Sequence, residues 1–470
     1  MLKKIIVGMI AIALLAIAGR AVAHDDHDSK ARKWAASWTI PPVNTFRGIA
    51  PPTGAGLQTH PLTSALVNFA FPFTAPALPQ ANNQSLRMIV KPDIWGNVMR
   101  VRLSNTWGSN PITFGAVAIG LQSYSGATVA GTNTPVTFGG SRSVTVAAGT
   151  QVFSDAIRIR WAQEDNDDGD NDGDDRVSPV LEGRNLAVSM YIPGQSGPMT
   201  FHGTALQESF LGAPNTGDHT RDDGDEAYPY ETPSWFFVTE VDVLAPADTR
   251  VLVGAGSSSV DGSITTPGNN DRFLNWMSRR LHAAYGQHVS VVNAGIGGDT
   301  AAIPGPGQTR PLLQVLPERF DRDVLGTSGI TDVVFYAGTN DFGDGMPSSQ
   351  SIASLQSMVA RLRGLGIHAI GSTLISNVQQ GGTSAATYTA HNDINQYILA
   401  RGNFDSVADF YNATRDPNNA NFLTTLIQDR FATHSDPTGT PDWLHLGRAG
   451  ALEEAKQLDI EFFRPSHGHH

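Results

Sequence analysis

Four short blocks gather the side chains that could do chemistry. Gly256-Ser257-Ser258-Ser259 sets three hydroxyls in a row at the mouth of an apolar run, Arg250 to Gly256. Asn293-Ala294-Gly295-Ile296-Gly297-Gly298-Asp299 offers a glycine-rich backbone whose N–H groups can face a ligand. Gly338-Thr339-Asn340-Asp341 puts a carboxamide directly after a second apolar run. Near the C-terminus, Asp442 and His445 stand three residues apart. Taken alone, the serine block reads as a flexible turn, a phosphate cradle or the seat of a nucleophile. A nucleophilic serine needs a base, a group that orients the base and donors for the developing oxyanion. The four blocks together hold all of these. A dinucleotide loop fits less well, because Ser259 stands where its third glycine belongs and the next strand ends at Asn293, not at an acid that would hold a ribose. The G-x-S-x-G elbow fails at Val260, two residues after Ser258.

These blocks need elements to hold them. From about Thr249 the chain alternates strand and helix patterns. "RVLVGAG", "VSVVNAG", "ITDVVFYAGTND" and "IHAIGSTLIS" read as strands. "NDRFLNWMSRRLHAAYG" reads as a helix with Phe273, Met277 and Leu281 on one face and Gly286 as its stop. "SIASLQSMVARLRGLG" reads as another, with Ile352, Leu355, Val359 and Leu362 in phase. Such alternation predicts a parallel sheet, and ligands of parallel sheets bind at the carboxyl ends of the strands. The serine, glycine and Gly-Thr-Asn-Asp blocks fall at those ends.

The first half has a different rhythm. In "GNVMRVRLSN", Met99, Val101 and Leu103 alternate with polar neighbours, the period of a half-buried strand. "PITFGAVAIGLQ", "RSVTVAAGTQVFS", "RNLAVSMYIPG" and "SWFFVTEVDVLAP" read alike, with Gly, Pro and Asn between them. Short strands at regular spacing predict an antiparallel β-sandwich. The expected layout is a leader over 1–23, a polar tail over 24–33, the sandwich over 34–246, the α/β domain over 247–464 and a His-rich tail over 465–470.

Composition narrows the function. The 470 residues carry a formal charge of −12 and no cysteine. Thiol chemistry is excluded, and the acidic surface disfavours nucleic acid and anionic lipid. The start has Lys3 and Lys4, then an apolar Ile5 to Ala18, then Ala21-Val22-Ala23. That is the layout of a signal peptide cut after Ala23, so a secreted or periplasmic protein without stable membrane insertion is expected. Between Glu164 and Arg176 most residues are acidic, which suits a solvated loop or, through its closely spaced oxygens, a calcium loop. Arg221 to Glu226 raises the same question. His202, His282 and His368 are expected to pack or lie at the surface, and the terminal histidines His24, His27, His467, His469 and His470 to belong to polar tails.

In order and spacing, the four blocks resemble those of the SGNH/GDSL hydrolase superfamily across about 200 residues. The first half resembles the β-sandwich that precedes this domain in one subgroup of bacterial secreted members, with "WAASWTIPP" and "VRLSNTWGSNPITFGAVAIG" carrying the likeness. The resemblance implies a three-layer, flavodoxin-like parallel-sheet hydrolase domain behind the sandwich. It implies Ser258 as nucleophile, His445 as base and Asp442 as the residue orienting it. It implies an oxyanion hole from the Ser258 and Gly298 N–H groups and the Asn340 amide. It implies a serine esterase working through an acyl-enzyme, with no cofactor and no metal, on a small-molecule or carbohydrate ester. Lysophospholipid hydrolysis or acyl transfer would use the same residues. The chain departs from the family at Ser257, where the usual block has aspartate. A serine there replaces hydrogen bonds but brings no charge, so a lapsed hydrolase serving as a carbohydrate- or surface-binding protein is the rival reading.

Overall fold

A computed structural model of the chain describes residues 31–43, 74–75, 78–162, 179–203, 205–310, 312, 314–376, 385–418, 432–434 and 441–465. The expected leader, the acidic insertion over 164–176 and the tail over 466–470 lie outside them, as does the side chain of Asp442. From Arg32 onward the chain forms one compact unit.

The first half builds six principal strands: β1 (Arg32–Thr39), β2 (Asn82–Val90), β3 (Val98–Ser104), β4 (Ala116–Leu121), β5 (Leu186–Gln195) and β6 (Val238–Pro246). One antiparallel sheet runs β1-β6-β3 and continues into Gln151–Phe153. The other runs from Tyr230–Thr232 through Ser209–Leu211 to β2, β5, β4 and Thr134–Pro135. Strand alternation sorts the side chains. On β2, Leu86, Met88 and Val90 join the main core, while Ile89 packs with Ala187, Phe210 and Tyr228 in a separate cluster.

Three stretches read as single strands are broken. "SWFFVTEVDVLAP" divides at Phe237, whose φ of +61° turns the chain between Trp235–Phe236 and β6. Its ring, buried against Phe114 at 5.4 Å edge-to-face, holds that conformation. "PITFGAVAIGLQ" divides at Gly115 and "RSVTVAAGTQVFS" at the turn around Gly149.

The second half is a five-stranded sheet in which every pairing is parallel: β7 (Arg250–Gly256), β8 (Val289–Gly295), β9 (Asp332–Tyr336), β10 (His368–Ser372) and β11 (Ser406–Ala408), in the order β8-β7-β9-β10-β11. Helices cover it: α1 (Ser258–Asp261), α2 (Phe273–Tyr285), α3 (Ser348–Gly364), α4 (Ala385–Leu399) and α5 (Arg448–Gln457). α2 buries Phe273, Met277 and Leu281, as its stripe predicts. Each such side chain contributes roughly 1.5–3 kcal/mol of burial.

The edge strands of the two sheets meet. Ser290 Oγ on β8 donates to the Ala36 carbonyl at 2.6 Å, and Thr39 Oγ1 on β1 donates to the Asn293 carbonyl at 2.8 Å. Two edges that would otherwise expose unpaired backbone cover one another. No helix among the described residues is long and apolar enough to cross a membrane.

Candidate active site

β7 delivers the serine block to the carboxyl end of the sheet. Its last residue is Gly256, where a Cβ would lie 2.1 Å from the Tyr336 carbonyl oxygen, so only glycine passes β9 this closely. Ser258 then opens α1, and Gly262, at a φ of +99°, closes it by donating its N–H to the Ser258 carbonyl at 2.8 Å. The result is a tight turn with Ser258 half-buried at its head and Ser257 buried beneath it.

His445 comes to it on the strand Pro441–Leu446, which pairs with Ala432–His434. Its Nε2 lies 2.8 Å from Ser258 Oγ, so the hydroxyl can donate to the ring. The ring is buried, at 7% exposure. Asp442 sits three residues earlier on the same strand, opposite Thr433.

The glycine block is braced from below. Arg319, fully buried, donates to Asp299 Oδ2 at 2.8 Å, to the Ala294 carbonyl at 2.9 Å and to the Gly256 carbonyl at 3.2 Å. One guanidinium thus ties the ends of β7 and β8 to the loop that carries Gly298. Gly298 itself has a φ of +78°, a left-handed turn that suits glycine. Asn340, at the start of the short helix Thr339–Gly343, donates one amide hydrogen to the Asp299 carbonyl at 2.8 Å. That bond fixes the amide plane and leaves the second hydrogen for a ligand. Asp341 accepts from the Ala301 and Ala302 N–H groups at 2.9 and 3.1 Å and from Ser351 Oγ at 2.7 Å, so the neighbouring loop is pinned as well. Burial pushes Asp341 up to about 6, against the pull of Ser351 and the backbone donors.

Several contributors carry no local signal in sequence. Asp261, at the end of α1, accepts from Gly297 N at 2.9 Å and meets His202 Nε2 at 2.9 Å. His202 Nδ1 lies 2.9 Å from the Pro41 carbonyl, which can only accept, so Nδ1 carries a hydrogen. His202 is thus a buried packing residue, as expected, yet it packs against the turn that carries Ser258. Asn293 donates to the Val260 carbonyl at 2.8 Å. Arg272, buried, donates to the Asp261 carbonyl at 2.5 Å and to the Ala205 carbonyl at 2.7 Å. His445 and Ser259 also line a cavity of about 10 Å³ that Glu454 closes from α5. It has room for about one water.

Elsewhere, the Arg221–Glu226 turn is held by the protein itself. Buried Arg87 donates to the Asp222 and Gly224 carbonyls, and Asp222 Oδ2 meets His219 Nδ1 at 2.8 Å. Among the described residues, no group of three acids or histidines is placed to hold a metal ion. The calcium expectation for 164–176 concerns residues outside that set.

Residues 255–451 match the GDSL-like lipase/acylhydrolase family. No curated protein matches the chain. Among solved structures, a GDSL-like lipase from Bacteroides thetaiotaomicron VPI-5482 is 15% identical, with a TM-score of 0.32, over 46% of this chain and 90% of that one. Axe2, an acetylxylan esterase from Geobacillus stearothermophilus, is 20% identical, with a TM-score of 0.32, over 44% and 91%. The segment 255–451, with its parallel sheet and its serine at a strand end, is thus a GDSL-like lipase/acylhydrolase domain, the signature of a carboxylic ester hydrolase.

Proposed function

We propose that the chain is an exported serine esterase that cleaves carboxylic esters through an acyl-enzyme. The observation that carries this reading is the 2.8 Å contact between Ser258 Oγ and His445 Nε2, made across 187 positions of sequence. As Oγ attacks the ester carbonyl carbon, its proton passes to His445 Nε2, with Asp442 orienting the ring. The Ser258 and Gly298 N–H groups and the Asn340 amide stabilise the charge on the carbonyl oxygen. Collapse expels the alcohol oxygen, which takes the proton from His445. Water then attacks the acyl-enzyme, gives its proton to His445, and releases the acid as the proton returns to Oγ.

Small acyl groups, such as acetyl on carbohydrate or simple alkyl and aryl esters, fit best. The acidic surface favours a neutral substrate. Export rests on the Lys3-Lys4 start, the apolar Ile5–Ala18 run and the small-residue exit at Ala23. The change from antiparallel to parallel pairing supports a division into a sandwich over 34–246 and a hydrolase domain over 247–464. The lapsed-enzyme reading rests on Ser257 and on the size of the sandwich, and the Ser258–His445 contact weighs against it. Turnover of p-nitrophenyl acetate, butyrate and octanoate tests the acyl assignment: kcat/KM should fall along the series. A rise toward octanoate would overturn it.

A further inference from the structure

A cavity of about 460 Å³ lies between β1, α2 and β8, and neither Ser258 nor His445 lines it. Its volume falls within the roughly 300–1,000 Å³ of small-molecule sites. Trp38 and Trp235, packed edge-to-face at 5.0 Å, form part of its wall. Its polar groups are incompletely used. Among the described residues, the half-buried Lys91 ammonium has no hydrogen-bond or ion-pair partner. Gln207 Oε1 is buried and accepts no bond. Asn275 uses its Oδ1 to cap α2, accepting from Arg272 N at 3.2 Å.

The charge of the lining is one-sided. Its two acids, Asp93 and Glu182, each lie 3.3 Å from a ring nitrogen of His282. Burial opposes a charge on that ring, but Asp93, the Val289 carbonyl and Glu182 outweigh it and push His282 up to about 9. The imidazolium therefore offsets one acid. Lys91, Arg279 and Arg272 leave the lining net positive, in a chain whose net charge is −12. An unpaired ammonium calls for an anion, and an unused carbonyl oxygen calls for a donor such as a hydroxyl. Indole walls suit the C–H faces of a sugar ring.

We propose that this cavity is a second ligand site, separate from the ester-cleaving centre, that takes a hydroxylated carboxylate of the uronic acid class. Lys91 and Arg279 receive the carboxylate, Gln207 and Asn275 receive hydroxyls, and Trp38 and Trp235 receive the ring. The site stands apart from the ester chemistry, so it is read by binding and not by turnover.

The test is calorimetric titration of the full chain with D-galacturonate, with D-galactose and glutarate as separate arms. Galacturonate should bind at one site per chain. Lys91→Met should weaken it roughly 10- to 100-fold, the loss of one charge-assisted bond. Galactose, lacking the carboxylate, and glutarate, lacking the hydroxyls and ring, should each bind more weakly than galacturonate. Arg279→Gln, on an exposed face of α2, serves as a second variant and should weaken binding in the same direction. Unaltered melting temperatures would show that both variants fold. No saturable heat from galacturonate up to about 10 mM would overturn the proposal. So would unchanged affinity in both variants, or equal affinity for either control ligand. None of these outcomes depends on esterase activity, which p-nitrophenyl acetate turnover reads separately.

Discussion

His202 Nε2 and Asp261 Oδ1 lie 2.9 Å apart, and that contact joins the β-sandwich to the turn that presents Ser258. The other carboxylate oxygen of Asp261 accepts from Gly297 N at 2.9 Å, next to Gly298. The imidazole is anchored in turn on the Pro41 carbonyl. One buried carboxylate therefore fixes the turn that carries Ser258, the glycine loop and the sandwich relative to one another. Ser257 brings no charge to this turn; Asp261, four residues on, does.

Asp261→Asn keeps the size of the side chain but removes the charge, and its one accepting atom, Oδ1, cannot serve both the Gly297 N–H and a hydrogen on His202 Nε2. The turn and the glycine loop should lose register, so kcat should fall roughly 10- to 100-fold with little change in KM. His202→Gln should reproduce part of this fall. Steady-state kinetics beside thermal melts check it. A lowered melting point with unchanged kcat would leave Asp261 a purely structural residue.

Asn340 donates one amide hydrogen to the Asp299 carbonyl, and in the proposed reaction the other serves the oxyanion. Asn340→Ala should lower kcat by about 10²–10³ with KM nearly unchanged, because that donor serves the transition state. A raised KM at constant kcat would place the amide in ground-state binding.

Glu454 is buried on α5, and its Oε1 has no partner among the described residues. Burial pushes its carboxyl up to about 8, against the neighbouring Tyr336 hydroxyl. The folded chain thus keeps a proton that the unfolded chain releases near its usual value of 4.5. Between those values the folded state binds more protons, so this group makes stability fall as pH rises. Glu454→Gln should remove a slope of at most about 1.4 kcal/mol per pH unit in that window. Urea unfolding from about pH 5 to about pH 8 measures it. Parallel stability profiles for the two proteins would contradict the assignment.

Much of this architecture is legible in the sequence, for local reasons. The apolar run Val333 to Tyr336 and the Phe273, Met277, Leu281 stripe announce a buried strand and a helix face, and both are there. Ile352, expected on the buried face of α3, is only half-buried; Ser351 and Met358 share that face with Leu355, Val359 and Leu362. α4 was hidden because His391, Asn392 and Asn395 interrupt its apolar stripe. His391 and Asn395 point inward and bond the Leu374 carbonyl. β11, three residues long, is too short to show a period. At the site, Ser258 and His445 stand in recognisable blocks. Asp261, His202 and Arg319 do not, since Asp261 meets His202 across 59 positions and Arg319 reaches Asp299 across 20, and no local pattern encodes such a meeting.

The central claim is that Ser258 is the nucleophile. The direct measurement is p-nitrophenyl acetate turnover by the chain and by Ser258→Ala, with circular dichroism confirming equal folding. The account predicts turnover by the chain and none above background in the variant, because Ser258 Oγ is the hydroxyl that lies 2.8 Å from His445 Nε2. Esterase activity retained in a folded Ser258→Ala protein would contradict it.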